Sequence, residues 1–208
     1  MNDKQQKIFN IIVISLIFIS CIVEAAIIDI VVVIAYLFVQ RRICKLSYAD
    51  IGFKHKNIID DLKKYWWLVL LPVLSGFLAL AISKVVLPEY YLHVLERTNM
   101  TELLSNVFLF VALLLVLSLL EEMTYRAILQ NTISKFTKPI IGIIITSILF
   151  AISHYSAGPT SIVVYDLLFI FIDSVIYGFV FERTKNIYMG WLSHFIANFA
   201  SFLFLLLL

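Results

Sequence analysis

Residues 113–126, LLLVLSLLEEMTYR, decide how this chain folds. The apolar run ends in two adjacent carboxylates, Glu121 and Glu122, and Arg126 comes four residues after the second one. A charged side chain inside a membrane costs about 2.5–3.5 kcal/mol on insertion scales, so such charges are rare and usually functional. The rest of the sequence has to explain why three of them occur together.

The composition indicates a membrane protein. Of the 208 residues, 62% are hydrophobic and 14% are charged, against roughly 25% charged residues in an ordinary soluble domain. The apolar runs are continuous rather than alternating, which favours helices over a β-barrel. We therefore expect an all-α fold, a polytopic transmembrane helical bundle of six or seven spans. Its surroundings are the lipid bilayer, and the net charge of +2 gives no reason to expect nucleic acid as a partner.

The number of spans depends on the N-terminal region. Residues 1–64 are expected to form a membrane helix or a helical hairpin, followed by a basic cytoplasmic segment. Residues 8–39 are mostly apolar, and their only charged residues are Glu24 and Asp29. A single helix of this length would be roughly 48 Å long, more than the ~30 Å bilayer core needs. Basic residues on both sides favour two short helices, and both alternatives stay open.

The transmembrane core is expected over residues 65–208, with an amphipathic interfacial helix before it at residues 57–64. The first span, residues 65–87, contains Pro72, which allows a kink. Residues 88–101 are polar and are expected outside the membrane. The remaining spans are expected at residues 102–135, 140–153, 161–181 and 187–208.

Spacing predicts which charges can meet. Glu122 and Arg126 are four residues apart on one helix face, so they should form an ion pair. Glu121 leaves the helix about 100° away and can face another partner. It lies 16 residues before Thr137 (137 − 121), and His154 lies 17 residues after it (154 − 137). In a helical hairpin Glu121 and His154 are therefore level.

The last span carries His194 and Asn198, four residues apart on one face. The same counting places His194 roughly 12 Å and Glu121 roughly 24 Å from the turns that end their helices. The two residues meet only if those turns lie at different depths, or if the polar end of the helix that carries Glu121 projects from the membrane.

Structural roles compete with chemical ones for several residues. Glu122 with Arg126 can simply lock helices together. Asp166 and Asp173, seven residues apart on one helix face, are expected to make structural hydrogen bonds, and His93 falls in a polar loop without a role. A chemical role is favoured where such groups coincide. Three apolar helices each carry a titratable group that is costly to place in a membrane. Those groups are Glu121, His154 and His194.

Three short motifs resemble one known family. EEMTYR (121–126) resembles the EExxxR motif of the CPBP intramembrane protease family, the CAAX-protease and bacteriocin-processing proteins also called Abi. FAISH (150–154) resembles its FxxxH motif, and HFIAN (194–198) its HxxxN motif. The motifs occur in the family's order, and the catalytic region that they mark covers residues 102–208.

The resemblance implies an intramembrane endopeptidase that hydrolyses a peptide bond. Glu121 would activate a water molecule, with Glu122 and Arg126 in support. His154 and His194 would orient the water or bind a divalent metal, and Asn198 would stabilise the oxyanion. A base near the water and donors near the oxyanion are what peptide hydrolysis requires.

A metal is one of two open alternatives. Two histidines and a glutamate suit zinc with an open position for water, so the metal ligands would be Glu121, His154 and His194. A metal-free mechanism uses the same residues. The sequence contains no HExxH motif, so this is not a zinc site carried on one helix.

The expected substrate is a peptide or membrane protein, and the expected setting is a bacterial cell membrane that the chain crosses several times. The family resemblance also suggests bacteriocin maturation or self-immunity. The alternative is a non-catalytic membrane scaffold or immunity protein whose polar cluster is structural. A proton-linked transporter is disfavoured, because no inverted repeat is visible in the sequence.

Overall fold

The computed structural model of the chain describes residues 1–23, 26–98 and 106–207. Within these ranges every regular element is a helix, which confirms the all-α fold class. Glu24 and the expected helix start at Glu102 lie outside the described residues. The α-helices are α1 (Asp3–Val23), α2 (Ala26–Phe38), α3 (Ile58–Val86), α4 (Tyr90–Arg97), α5 (Val107–Glu122), α6 (Asn131–Phe136), α7 (Pro139–Ile152), α8 (Thr160–Thr184) and α9 (Ile187–Leu207).

Several of these helices can cross a bilayer. Among the residues that the structure describes, five helical segments are long and apolar enough: Lys4–Cys21, His55–Val86, Val107–Phe136, Thr160–Thr184 and Ile187–Leu205. The apolar helices α7 and α2 are shorter, with 14 and 13 residues. Together these segments are consistent with the six or seven spans expected from the sequence.

The N-terminal region is a helical hairpin and not one long helix. α1 and α2 pack against each other, and the Cys44 thiol donates to the Gln6 side chain at 3.2 Å. That contact places the start of α1 beside the end of a short π-helical segment, Val39–Ile43, that extends α2. Buried side chains of the hairpin, among them Ile17 and Val33, belong to the largest apolar core of the protein.

α3 joins the expected interfacial helix to the first span of the core. Its helical geometry is interrupted at Tyr65 (φ −121°, ψ 16°), so the break falls at the membrane interface rather than at Pro72. α4 follows in the polar region. His93 lies on this helix and is buried, so the expectation that it occupies a loop is wrong.

The helix that carries the paired carboxylates changes its winding directly after them. Met123–Gln130 forms a π-helical segment in which all eight residues are buried. A π-helical turn holds more residues than an α-helical turn, so this segment is shorter along its axis than eight α-helical residues. Glu121 consequently lies less deep than the count from Thr137 implies.

A docked loop fixes where α9 begins. Lys185 ends α8 in the left-handed conformation (φ 48°), and the next two residues bond to α3 and to the segment before it. Ile187 N–H donates to the Gly52 carbonyl at 2.8 Å. The Asn186 amide donates to the Lys54 carbonyl at 3.2 Å and to Asp61 at 2.9 Å. These contacts and the shortened π-helical segment together allow His194 and Glu121 to meet.

Candidate active site between the transmembrane helices

Glu121, at the end of α5, faces both histidines of the sequence motifs. Its Oε1 lies 4.0 Å from His154 Nε2, and its Oε2 lies 3.5 Å from His194 Nε2. Both separations exceed the length of a normal hydrogen bond. The Glu121 side chain is 32% exposed, so its carboxylate is accessible from a cavity rather than sealed in the core.

Its neighbour Glu122 has the opposite surroundings. Glu122 Oε2 lies 3.5 Å from Arg126 Nε, and both side chains are fully buried. Arg126 Nη2 also donates to the Ser174 hydroxyl at 2.8 Å, and its guanidinium lies 5.4 Å from the Phe150 ring centre. Of two adjacent carboxylates, one is thus neutralised by a cation and the other is left open.

Glu122 contacts His194 through the ring nitrogen that does not face Glu121. Its Nδ1 lies 3.1 Å from Glu122 Oε1, and its ring stacks on Tyr177 with the centres 4.6 Å apart. An ionised carboxylate can only accept, so the Nδ1 hydrogen points to Glu122. His194 Nε2 is thereby directed at Glu121.

His154 is oriented in the same way by the end of α7. Its Nδ1 and the Ser153 hydroxyl both lie 2.8 Å from the Phe150 carbonyl. A carbonyl oxygen only accepts, so His154 Nδ1 carries a hydrogen and its Nε2 faces Glu121. Polar side chains that bond back to the preceding turn also explain why the helix ends here.

Phe150 packs the site together. Its ring centre lies 4.4 Å from that of His154, 5.7 Å from that of His194 and 5.0 Å from that of Tyr125. The ring is almost completely buried. It therefore packs against the Arg126 guanidinium and both imidazoles, and it restricts how far either imidazole ring can turn.

An apolar cavity of about 330 Å³ opens from this cluster. Glu121, His154, His194 and Asn198 line it, and most of the remaining lining is aliphatic or aromatic. Asn198 lies one turn after His194 on α9 and is half-buried. Four of the six predicted site residues thus line one cavity. The other two, Glu122 and Arg126, are buried and do not line it.

Residues that the sequence motifs do not include also contribute. Asp173 lines the same cavity, although structural hydrogen bonding was the expected role of this residue. Ser174 and Tyr177, which hold Arg126 and His194, have no charge or motif that marks them in the sequence. All three lie on α8. Of these, Asp173 could have been recognised in the sequence, because it is an acidic residue in an apolar span.

The arrangement does not enclose a metal ion. In the part of the chain that the structure describes, no group of three His, Cys, Asp or Glu side chains could hold one. The donor types themselves suit zinc, and both histidines present Nε2 with Nδ1 bonded elsewhere, as in metal sites. A metal would therefore require the side chains to move closer together.

Comparison with known proteins agrees with the position of the site. The family model described as "Type II CAAX prenyl endopeptidase Rce1-like" matches residues 103–200. This range contains all three motifs, whereas α1 to α4 lie outside it. No curated protein and no solved structure matches the chain.

Proposed function

We propose, from the premise that residues 103–200 belong to the Rce1-like family of type II CAAX prenyl endopeptidases, that this protein is an intramembrane endopeptidase with Glu121 as its catalytic base. The observation that carries the proposal is the contrast between two adjacent carboxylates. Glu122 is buried against Arg126, whereas Glu121 faces two imidazole nitrogens across an open cavity.

The separations suit one water molecule. Atoms 3.5–4.0 Å apart can both bond to a single water at ordinary lengths of about 2.8 Å. Such a water would donate one hydrogen to Glu121 and the other to an imidazole Nε2. Its oxygen would then be held in place while Glu121 draws away a proton.

The reaction follows from this placement. The water oxygen attacks the peptide carbonyl carbon as its proton passes to Glu121, and the carbonyl oxygen becomes an oxyanion. The Asn198 side-chain amide, on the same cavity wall, donates to that oxyanion. The C–N bond then breaks, and the proton moves from Glu121 to the leaving amine. One water is consumed for each bond cleaved.

Glu122, Arg126 and His154 complete the proposed machinery as positioning or water-orienting groups. Glu122 fixes the tautomer of His194, and Arg126 compensates the charge of Glu122 in a buried setting. Without Arg126, an uncompensated carboxylate would be left in the core, which is costly.

The apolar cavity supports a hydrophobic peptide or membrane-protein segment as substrate. Within that class, the family description makes a prenylated C-terminus one candidate. Bacteriocin maturation or self-immunity, in the cell membrane of a bacterium, is the more specific role that we propose. Deletion of the gene should then remove processing of a bacteriocin precursor, or resistance to the bacteriocin.

The first test is Glu121→Gln, which keeps the shape of the side chain but removes the base. We expect cleavage of a fluorogenic farnesylated peptide by protein in vesicles to fall about 10²–10⁴-fold, at unchanged abundance. Glu182→Gln is the matched control, because Glu182 pairs with Lys185 at the loop. Wild-type turnover in the Glu121→Gln protein would contradict the proposal.

A metal-dependent mechanism is a second proposal, with Glu121, His154 and His194 as the ligands of a divalent ion such as zinc. It predicts about one metal per chain in purified protein, lost in His154→Ala. Chelation followed by zinc addition should remove and restore cleavage together. Full activity without bound metal would contradict this second proposal and favour the metal-free mechanism.

A non-catalytic scaffold is the competing function, and the completely buried Glu122–Arg126 pair favours it. A scaffold needs the shape of residue 121 and not its charge, so Glu121→Gln should keep its biological output. An enzyme should lose that output at normal abundance.

A further inference from the structure

A second cavity lies on the other side of the Glu121–His154 pair. It has a volume of about 250 Å³ and shares Glu121, His154 and Leu117 with the first cavity. The carboxylate and the imidazole thus form part of the wall between two separate spaces. The further lining residues are Ser20, Cys21, Asp29, Ile30, Leu120, Thr124, Tyr125, Ser153 and Tyr155.

The two cavities differ in which side chains line them, although apolar surface predominates in both and the first also contains Arg97, Asp166 and Asp173. The first is lined mainly by aliphatic and aromatic side chains. In the second, three of the twelve lining residues are aliphatic, and the others carry a hydroxyl, thiol, carboxyl or imidazole group. The N-terminal hairpin supplies Ser20, Cys21 and Asp29, although it lies outside the range that matches the family.

The polar groups of the second cavity are held in place. The Tyr125 hydroxyl donates to Ser153 Oγ at 2.8 Å. Because that hydrogen is used, the Cys21 thiol is the donor in its 3.3 Å contact with the Tyr125 oxygen. This line of hydrogen bonds runs from the hairpin to the residue before His154.

Two carboxylates, Asp29 and Glu121, face this cavity. Asp29 Oδ1 is buried and has no hydrogen-bond partner within the described ranges. Polar and charged groups in a membrane are stabilised when they line water. At roughly 30 Å³ for each water molecule, the cavity has room for about eight.

Catalysis would need such a space. Each turnover consumes one water, and bilayer hydrocarbon contains none to supply it. A peptide in the apolar cavity covers Glu121 from that side. The second cavity then offers the next water a way to reach Glu121 from the opposite side.

We propose that this second cavity, between the N-terminal hairpin and the ends of α5 and α7, is the water route to Glu121, while the apolar cavity takes the peptide. The proposal rests on the endopeptidase function. It assigns the hairpin a role in catalysis, namely to enclose a hydrated path with Ser20 and Asp29 on its wall.

A substitution that narrows the second cavity tests the role of the hairpin in supplying water. Ser20→Phe fills the second cavity, and Ile19→Phe places the same ring on the exposed, lipid-facing neighbour. With the farnesylated peptide, Ser20→Phe should lower kcat about tenfold or more, with KM within about twofold. Ile19→Phe should match wild type. Unchanged kcat in Ser20→Phe, or a rise in KM alone, would overturn the proposal.

Chemical labelling tests the water itself, independently of cleavage. In a protein with Cys21→Ala and Cys44→Ser, we compare Asp29→Cys with Val31→Cys, whose side chain is exposed to lipid. A positively charged methanethiosulfonate reacts with thiolates in water, so Asp29→Cys should react about tenfold faster or more. Equal rates would overturn the water route. Fast labelling without cleavage of any peptide would instead count against the endopeptidase function alone.

Discussion

Two ionic clusters in this protein differ in their balance of charges. The first is the site cluster, Glu121, Glu122, Arg126, His154 and His194. The second, the α4 cluster, joins Asp166 of α8 to three side chains of α4: the Tyr90 hydroxyl donates to Asp166 at 3.0 Å, Arg97 Nε lies at 3.1 Å and His93 Nε2 at 3.6 Å. Both clusters join carboxylates to histidine and arginine.

They differ in how many carboxylates each cation has to balance. In the α4 cluster one carboxylate faces an arginine, a histidine and a phenol, and burial raises the pKa of Tyr90 well above its usual range, so it stays a neutral donor. Tyr90, Arg97 and Asp166 line the first cavity as Glu121 does. In the site cluster, however, Arg126 neutralises Glu122, and Glu121 is left facing two imidazoles with no cation of its own. An excess of one carboxylate therefore distinguishes the candidate site from a structural ion pair.

The largest expected difference is between His154→Ala and His93→Ala. His154 faces Glu121, so its removal should lower turnover about 10²-fold or more. His93 lies in the α4 cluster, and its removal should leave turnover within about twofold of wild type. Peptide cleavage by equal amounts of reconstituted protein measures both. Equal losses in the two variants would show that the clusters share one role.

The next comparison is between the two arginines. Arg126→Met leaves Glu122 buried without a cation and should cost about 3–5 kcal/mol of unfolding free energy. Arg97 is 22% exposed, and Tyr90 remains to support Asp166, so Arg97→Met should cost about 1–2 kcal/mol. Denaturant unfolding in micelles measures both. Adding Glu122→Gln to Arg126→Met should recover part of the loss, and a further loss would contradict the pairing.

The smallest expected effects come from two glycines, one beside each cluster. A Cβ on Gly190 would lie 2.6 Å from Glu122 Oε2, and one on Gly158 would lie 3.1 Å from His93 Nδ1. Gly190→Ala should displace the carboxylate that orients His194 and lower kcat about tenfold. Gly158→Ala should change kcat less than about twofold. The prediction fails if Gly158→Ala is the more damaging substitution.

The sequence was sufficient for the parts of the site that lie on one helix or one hairpin. Glu122 and Arg126 meet because an α-helix brings residues four apart onto one face. Glu121 and His154 were expected to be level because they are nearly equidistant from Thr137, and the structure places their side chains 4.0 Å apart. Both inferences need only the pitch of a helix and the length of a hairpin.

Contacts between distant helices needed the tertiary structure. Spacing placed Glu121 and His194 at different depths, because it could not foresee the π-helical segment Met123–Gln130 or the loop docked on Gly52. Ser174 and Tyr177 are ordinary residues in an apolar span, and only packing shows that they hold Arg126 and His194.

The sequence by itself determined that this is a helical membrane protein with costly charges on three helices, because hydrophobic length and local spacing are properties of the chain alone. Only the tertiary structure decided which carboxylate is neutralised, which one is open, and that Asp29 of the N-terminal hairpin faces the same cavity as Glu121. The reason is physical. Burial and charge compensation depend on which helices pack together, and no local pattern specifies that.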